Sequence, residues 1–142
     1  MLFDTDVLIW IQRGNLKASH AVEQADERVI SAQTYMELLQ GASNKQQQHY
    51  IKSFLTDYSF SIMAFTENIG HRAMIYIEQF SLSHGMTSGD AIIAATAAEN
   101  DLVLLSGNSK HFNQLSDIKF KVFRPSYRRW RVRRNANTIQ ND

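Results

Sequence analysis

Thr87-Ser88-Gly89-Asp90 opens the run Ala91-Ile92-Ile93-Ala94-Ala95-Thr96-Ala97-Ala98, and Leu102-Val103-Leu104-Leu105 follows, ending in Ser106-Gly107-Asn108. The first run begins with a helix-start signal and continues in residues small enough to let a helix lie close against a sheet. The second is unbroken apolar sequence, the pattern of a strand buried on both faces. Working outward, the same alternation recurs. A short apolar start closes at Phe3, Asp4-Thr5-Asp6 makes an acidic turn, and Val7 to Ile11 reads as a helix ending near Gly14. Arg28 to Ser31 is a brief strand leading into a helix from about Ala32 to Leu39, and the polar stretch Ser43 to His49 leads into another helix reaching about Tyr58. Phe60 to Met63 reads as a strand. Ile69, Ala73, Ile77 and Phe80 repeat at helical spacing up to Gly85, and Lys119 to Phe123 is a final strand. Short apolar strands separated by helices predict βα units, hence an α/β fold with a parallel sheet and helices on both faces.

The chain has 142 residues, 44% of them hydrophobic and 20% charged, which predicts one domain. The absence of cysteine excludes disulfides, zinc-thiolate sites, iron-sulfur clusters and a cysteine nucleophile, so any metal must rest on oxygen or imidazole. No signal peptide or membrane-length apolar run is legible, which gives the cytoplasm as the expected location. Charge is divided unevenly: Met1 to Ser116 carry 7 Lys/Arg against 12 Asp/Glu, whereas Asp117 to Asp142 carry 8 against 2. An acidic body suits divalent cations and a basic segment suits polyanions. Pro125 marks the expected end of the domain, residues 1–125. Residues 126–142 form a basic tail in which five arginines between Arg128 and Arg134, with Tyr127 or Trp130 stacking on a base, suit RNA, though a solvated end fits equally well.

In an open parallel sheet, ligands gather at the carboxyl ends of the strands. Asp4 follows the first strand, Glu37 lies in the helix after the second, Asp90 opens a helix, and Asn108 follows the Leu102 to Leu105 strand. All offer oxygen, the donor a hard cation such as Mg²⁺ prefers. Each also has a local reading. Thr34-x-x-Glu37 and Thr87-x-x-Asp90 fit capping boxes, Asp4 or Asp6 fits a helix cap, and Asn108 fits a turn.

In that order the four stretches Leu2 to Ile9, Tyr35 to Gly41, Asp90 to Ala97 and Leu104 to Phe112 resemble the PIN-domain ribonucleases, most closely the VapC-type toxins of toxin-antitoxin pairs. The resemblance covers Leu2 to about Phe123. It implies a PIN-like three-layer fold with a five-stranded parallel sheet, and a Mg²⁺ or Mn²⁺ site whose acids match Asp4, Glu37 and Asp90. Asn108 stands at a fourth position that is often Asp, so it adds no negative charge there. Thr5 and Ser106 match polar positions expected to place water or phosphate, and Lys110 lies near enough to meet phosphate. The resemblance implies a metal-dependent endoribonuclease, a cognate antitoxin partner, RNA as substrate and a homodimer. Two other readings are a haloacid-dehalogenase-like phosphatase using Asp4, which would want an acid where Ala94 stands, and a noncatalytic RNA-binding module. His20, His49, His71, His84 and His111 have no metal-ligand spacing and read as surface or packing residues.

Overall fold

The computed structural model describes residues 1–125; the expectations placed on 126–142 lie outside them. Each short apolar segment becomes a strand of one sheet: β1 (Leu2–Phe3), β2 (Val29–Ser31), β3 (Ser61–Met63), β4 (Val103–Ser106) and β5 (Lys119–Val122). All four pairings are parallel, in the order β3-β2-β1-β4-β5. The central strands carry little but apolar side chains because helices cover both of their faces, and Leu2, Phe3, Ile30 and Leu104 have no exposed surface.

The helices are α1 (Thr5–Gln12), α2 (Leu16–Gln24), α3 (Ala32–Gln40), α4 (Lys45–Asp57), α5 (Glu67–His84), α6 (Ser88–Glu99) and α7 (Ser109–Phe112). On one face α5 and α6 enclose Ile69, Ala73, Ile93 and Phe112; on the other α1 to α4 enclose Phe3, Val7, Val22 and Leu55. Ala91, Ala94, Ala95 and Ala97 of α6 are buried, so the helix lies close to the sheet as its small residues predict.

The expected strands appear within a residue or two of their predicted bounds. Helices α2 and α7 were not foreseen. The structure starts α4 inside the polar run, at Lys45, because the Asn44 side chain accepts from the Gln47 amide and caps it. Gly85, at φ 65°, closes α5 in the left-handed conformation that favours glycine. One capping assignment is corrected. Strand β2 runs into α3 without a loop, so its last residue, Ser31, caps the helix by accepting from the Thr34 amide, and Thr34 is already inside. Glu37 therefore caps nothing and is left for other partners.

Candidate active site

Asp4 and Ser106 stand at the ends of adjacent strands, Asp6 is in the first turn of α1, Glu37 in the second turn of α3, and Asp90 in the first turn of α6. The four acids, with Thr5, Trp10, Gly107 and Asn108, line one open cavity of about 560 Å³. The sequence-predicted Asp4, Glu37, Asp90, Asn108 and Thr5 are thus brought together. Ser106 is fully buried beneath them. Lys110 is exposed on α7 and does not line the cavity, which leaves the phosphate contact expected of it without support.

The strand-end half is held by rigid donors. Asp4 is only 6% exposed; its Oδ1 accepts from the Thr5 amide at 2.7 Å and its Oδ2 from the Ser106 hydroxyl at 2.6 Å. Ser106 Oγ in turn accepts from the Asn108 amide at 3.0 Å, which fixes the rotamer of the serine that orients Asp4. Burial, followed by the charge of Asp6, pushes the Asp4 carboxyl up to about 7; the Ser106 and Thr5 donors oppose that rise, and Asp90 adds to it. Asp6 Oδ2 accepts from the Gly107 amide at 2.9 Å, whereas its Oδ1 is buried without a partner. Burial raises the Asp6 carboxyl as well, against the lowering effect of the Gly107 and Val7 amides.

The helix-borne half is held by other side chains. Glu37 Oε2 accepts from Thr5 Oγ1 at 2.6 Å and Oε1 from Gln33 Nε2 at 2.9 Å. Thr5 has a single hydroxyl proton and an ionised carboxylate only accepts, so that proton goes to Glu37 and the Thr34 hydroxyl, 3.0 Å away, donates to Thr5. Asp90 Oδ2 accepts from Thr87 Oγ1 at 2.9 Å, and the capping box expected of Thr87 and Asp90 is present. The same oxygen lies 2.7 Å from His111 Nδ1, so Asp90 serves the capping box while also lining the cavity. Gly89 presses α6 onto α3: a Cβ there would sit 2.9 Å from Glu37 Oε1.

His111 Nδ1 also lies 2.8 Å from the Asn108 amide. The Asn108 atom at that distance is Nδ2, a donor, and one ring nitrogen cannot both accept from Asn108 and donate to Asp90, so the tautomer of His111 decides which of the two contacts is the hydrogen bond. Sequence reasoning placed His111 among surface and packing residues; its partner Asp90 is 21 positions away, beyond any spacing rule within one helix. Asp6 was read only as a helix cap. Its signal was the acid two residues after Asp4 at a strand end, and its function is to hold the loop at Gly107.

The donor set is oxygen only, crowded by like charge, and includes one orphaned buried carboxylate oxygen, all of which suit a hard divalent cation. Among the described residues no three acidic or imidazole side chains converge on one point, because Glu37 and Asp90 are turned onto Thr5, Gln33, Thr87 and His111. Chemically the acids fit such a cation. The phosphatase reading fares worse. Ala94 is wholly buried where that chemistry wants a further acid, and a buried Asp4 with both oxygens occupied is a poor nucleophile.

The PIN domain family matches residues 1–118. The fold and the site therefore define the class: the chain belongs to the PIN-domain family. Within that family it is 30% identical over 132 residues to Ribonuclease VapC10 of Mycobacterium tuberculosis (strain ATCC 25618 / H37Rv), covering 90% of this chain and 97% of that protein. Its structure is similar to that of a toxin-antitoxin complex from Klebsiella pneumoniae, with a TM-score of 0.71 at 29% identity over 88% of this chain and 97% of the other. It shares its fold with VapBC2 from Rickettsia felis bound to a promoter DNA fragment, with a TM-score of 0.74 at 18% identity over 87% and 98% of the two chains.

Proposed function

We propose that this chain is a metal-dependent endoribonuclease of the VapC type, the toxin of a toxin-antitoxin pair. The observation that carries the reading is the single cavity lined by Asp4, Glu37 and Asp90, contributed by three separate helix starts around the sheet's carboxyl edge. Those three acids would hold Mg²⁺ or Mn²⁺, which supplies an activated water and neutralises charge on the phosphate. Ser106 keeps Asp4 oriented, Thr5 and Gln33 orient Glu37, and His111 with Thr87 positions Asp90. Glu37, half-buried where Asp4 is buried, would orient the attacking water. Attack by water leaves a 5′-phosphate and a 3′-hydroxyl and requires no 2′-hydroxyl, so preference for RNA must come from fit. Asn108 lines the cavity with an amide beside His111 and contributes no charge.

The partner is an antitoxin peptide. VapC10 is a ribonuclease by name and the Klebsiella pneumoniae relative is a toxin-antitoxin complex, which support both halves of the reading. A basic residue placed among Asp4, Glu37 and Asp90 would relieve their repulsion and exclude the cation, so binding and inhibition would arise from one contact. Leu38, Tyr50 and Ile51, with Ile9 and Arg13, line an adjacent cavity of about 530 Å³ between α1, α3 and α4 that suits the apolar face of such a peptide. We further propose a homodimer in the cytoplasm; among the described residues no helix is long and apolar enough to cross a membrane. Overexpression in a bacterial host should arrest growth, and the Asp90→Asn chain should not. Coexpression with the small gene beside it should restore growth and yield a copurifying complex. Normal growth with the wild-type chain would remove the toxin assignment.

A further inference from the structure

Beside the acidic cavity lies a larger groove of about 900 Å³, between α2 and β5. Topology creates it. Among the described residues, strand β5 ends the sheet and pairs with β4 alone, so one long side of it has no neighbouring strand there. Lys119, Lys121 and Phe123 alternate onto one face; Phe123 is buried in the core formed with α1 to α4, while Lys119 and Lys121 remain exposed. The floor is apolar, with Ala21, Ala25, Leu105 and Phe123 below and Leu16, 75% exposed, at the mouth. The rim carries Lys17, His20, Lys121 and Arg124, and among the described residues no Asp or Glu lines it. Residues 1–116 carry an excess of five negative charges, so this is a local concentration of cations set against the charge of the body.

The groove and the acidic cavity share a wall, since Phe123 and Arg124 line both. Arg124 Nη1 donates to the Gly107 carbonyl at 3.4 Å, in the loop that carries the site. On the cavity side, Asn15 Nδ2 donates to the carbonyl of Pro125, which lines the acidic cavity, at 3.2 Å.

We propose that this groove binds the single-stranded RNA that flanks the bond cut in the acidic cavity, an inference that rests on the ribonuclease reading above. A polyanion held over four carboxylates needs cations on the adjoining stretch of backbone, and Arg124 and Lys121 are the first it meets on leaving the cavity. An apolar floor beneath a basic rim accepts unpaired bases below and phosphates above, which a duplex with its bases stacked inside does not exploit.

The test is fluorescence anisotropy with a labelled single-stranded 12-nucleotide RNA and the full chain in EDTA, so that binding is read without cleavage. Lys121→Glu/Arg124→Glu should weaken binding at least tenfold and lower the slope of log affinity against log salt by about 1.4, since each of the two phosphate contacts on a single strand contributes ~0.7. Lys121→Gln/Arg124→Gln should weaken it less, in the same direction. Lys45→Glu/Lys52→Glu changes the charge equally at exposed positions on α4 and should weaken binding less than threefold. An unchanged affinity in the Lys121/Arg124 pair, or an equal loss in both charge-reversed pairs, would overturn the proposal. So would a Lys121/Arg124 variant that binds RNA normally and loses its antitoxin, which would assign the groove to a protein partner. Wild-type chain that binds RNA through the groove yet cuts none with Mn²⁺ would support the groove and sink the ribonuclease reading.

Discussion

The two halves of the acidic cavity are built on different principles. At the strand ends, Asp4 and Asp6 are gripped by the backbone amides of Thr5 and Gly107 and by a buried serine hydroxyl, with little room to move. On the helices, Glu37 and Asp90 are held by Thr5, Gln33, Thr87 and His111, side chains whose terminal groups can rotate. Desolvation falls on the first half and raises its carboxyls; the second carries the groups free to swing onto a ligand. A fixed, desolvated floor and an adjustable rim suit a site that must capture a cation and release a product.

The largest effects should separate the halves by stability even where activity cannot. Asp4→Asn and Asp90→Asn should each lower RNA cleavage at least 10²-fold, the order found when a key transition-state charge is lost. Only Asp4→Asn should raise the melting temperature of the metal-free chain at neutral pH. The sign follows from its carboxyl at about 7 in the fold against 3.8 in an unfolded chain. As pH rises from about 4 to about 7 the unfolded chain releases this proton first, so the group's contribution to stability falls across that window and levels off above it. Asp4→Asn removes the fall. Thermal melts of both chains at pH 4.5 and 7.5 should therefore diverge only at the higher pH, and parallel curves would place the burden elsewhere.

Glu37→Gln should rank next. It keeps an acceptor for Thr5 and, with Ser31 as the cap of α3, stability should change by less than ~1 kcal/mol while cleavage collapses. Unchanged turnover would remove Glu37 from the reacting machinery. Two glycines sharpen the contrast at smaller scale. A Cβ at Gly107 would meet Asp6 Oδ2 at 2.9 Å and the backbone carbonyl of Phe123 at 3.3 Å, so Gly107→Ala should destabilise by ~1–3 kcal/mol in a denaturant melt. At Gly89 the Cβ meets only the flexible ends of Glu37 and Gln33, so Gly89→Ala should leave stability nearly unchanged and slow cleavage several-fold by displacing Glu37. Lys110→Ala, outside the cavity, should alter cleavage by less than twofold in the same assay.

The same division governs what could be read from sequence. Strand-end residues such as Asp4 and Ser106 were legible because an apolar run announces where each strand stops, and the site of a parallel sheet lies there. His111 was illegible, since its contact with Asp90 forms only when α7 folds back across the loop from β4. The service of Asp6 to Gly107 spans 101 positions and left only an Asp-x-Asp spacing as a trace. Helix α2 escaped notice because it buries only Ala18 and Val22, too few apolar positions to mark a period, and α7 is a single turn. The order β3-β2-β1-β4-β5, which exposes the basic side of β5, cannot be deduced from where the strands lie in sequence.

The central claim is that Asp4, Glu37 and Asp90, brought to one cavity from a strand end and two helices, form one cation-dependent site for RNA hydrolysis. It is tested most directly by incubating the purified chain with 5′-labelled RNA in Mn²⁺, in Mg²⁺ and in EDTA, and determining the ends of the products. Cleavage in either metal, 5′-phosphate and 3′-hydroxyl ends, and loss of activity in EDTA and in the Asp4→Asn chain are the predicted result. Full activity in EDTA, or products with 2′,3′-cyclic phosphate ends, would contradict it.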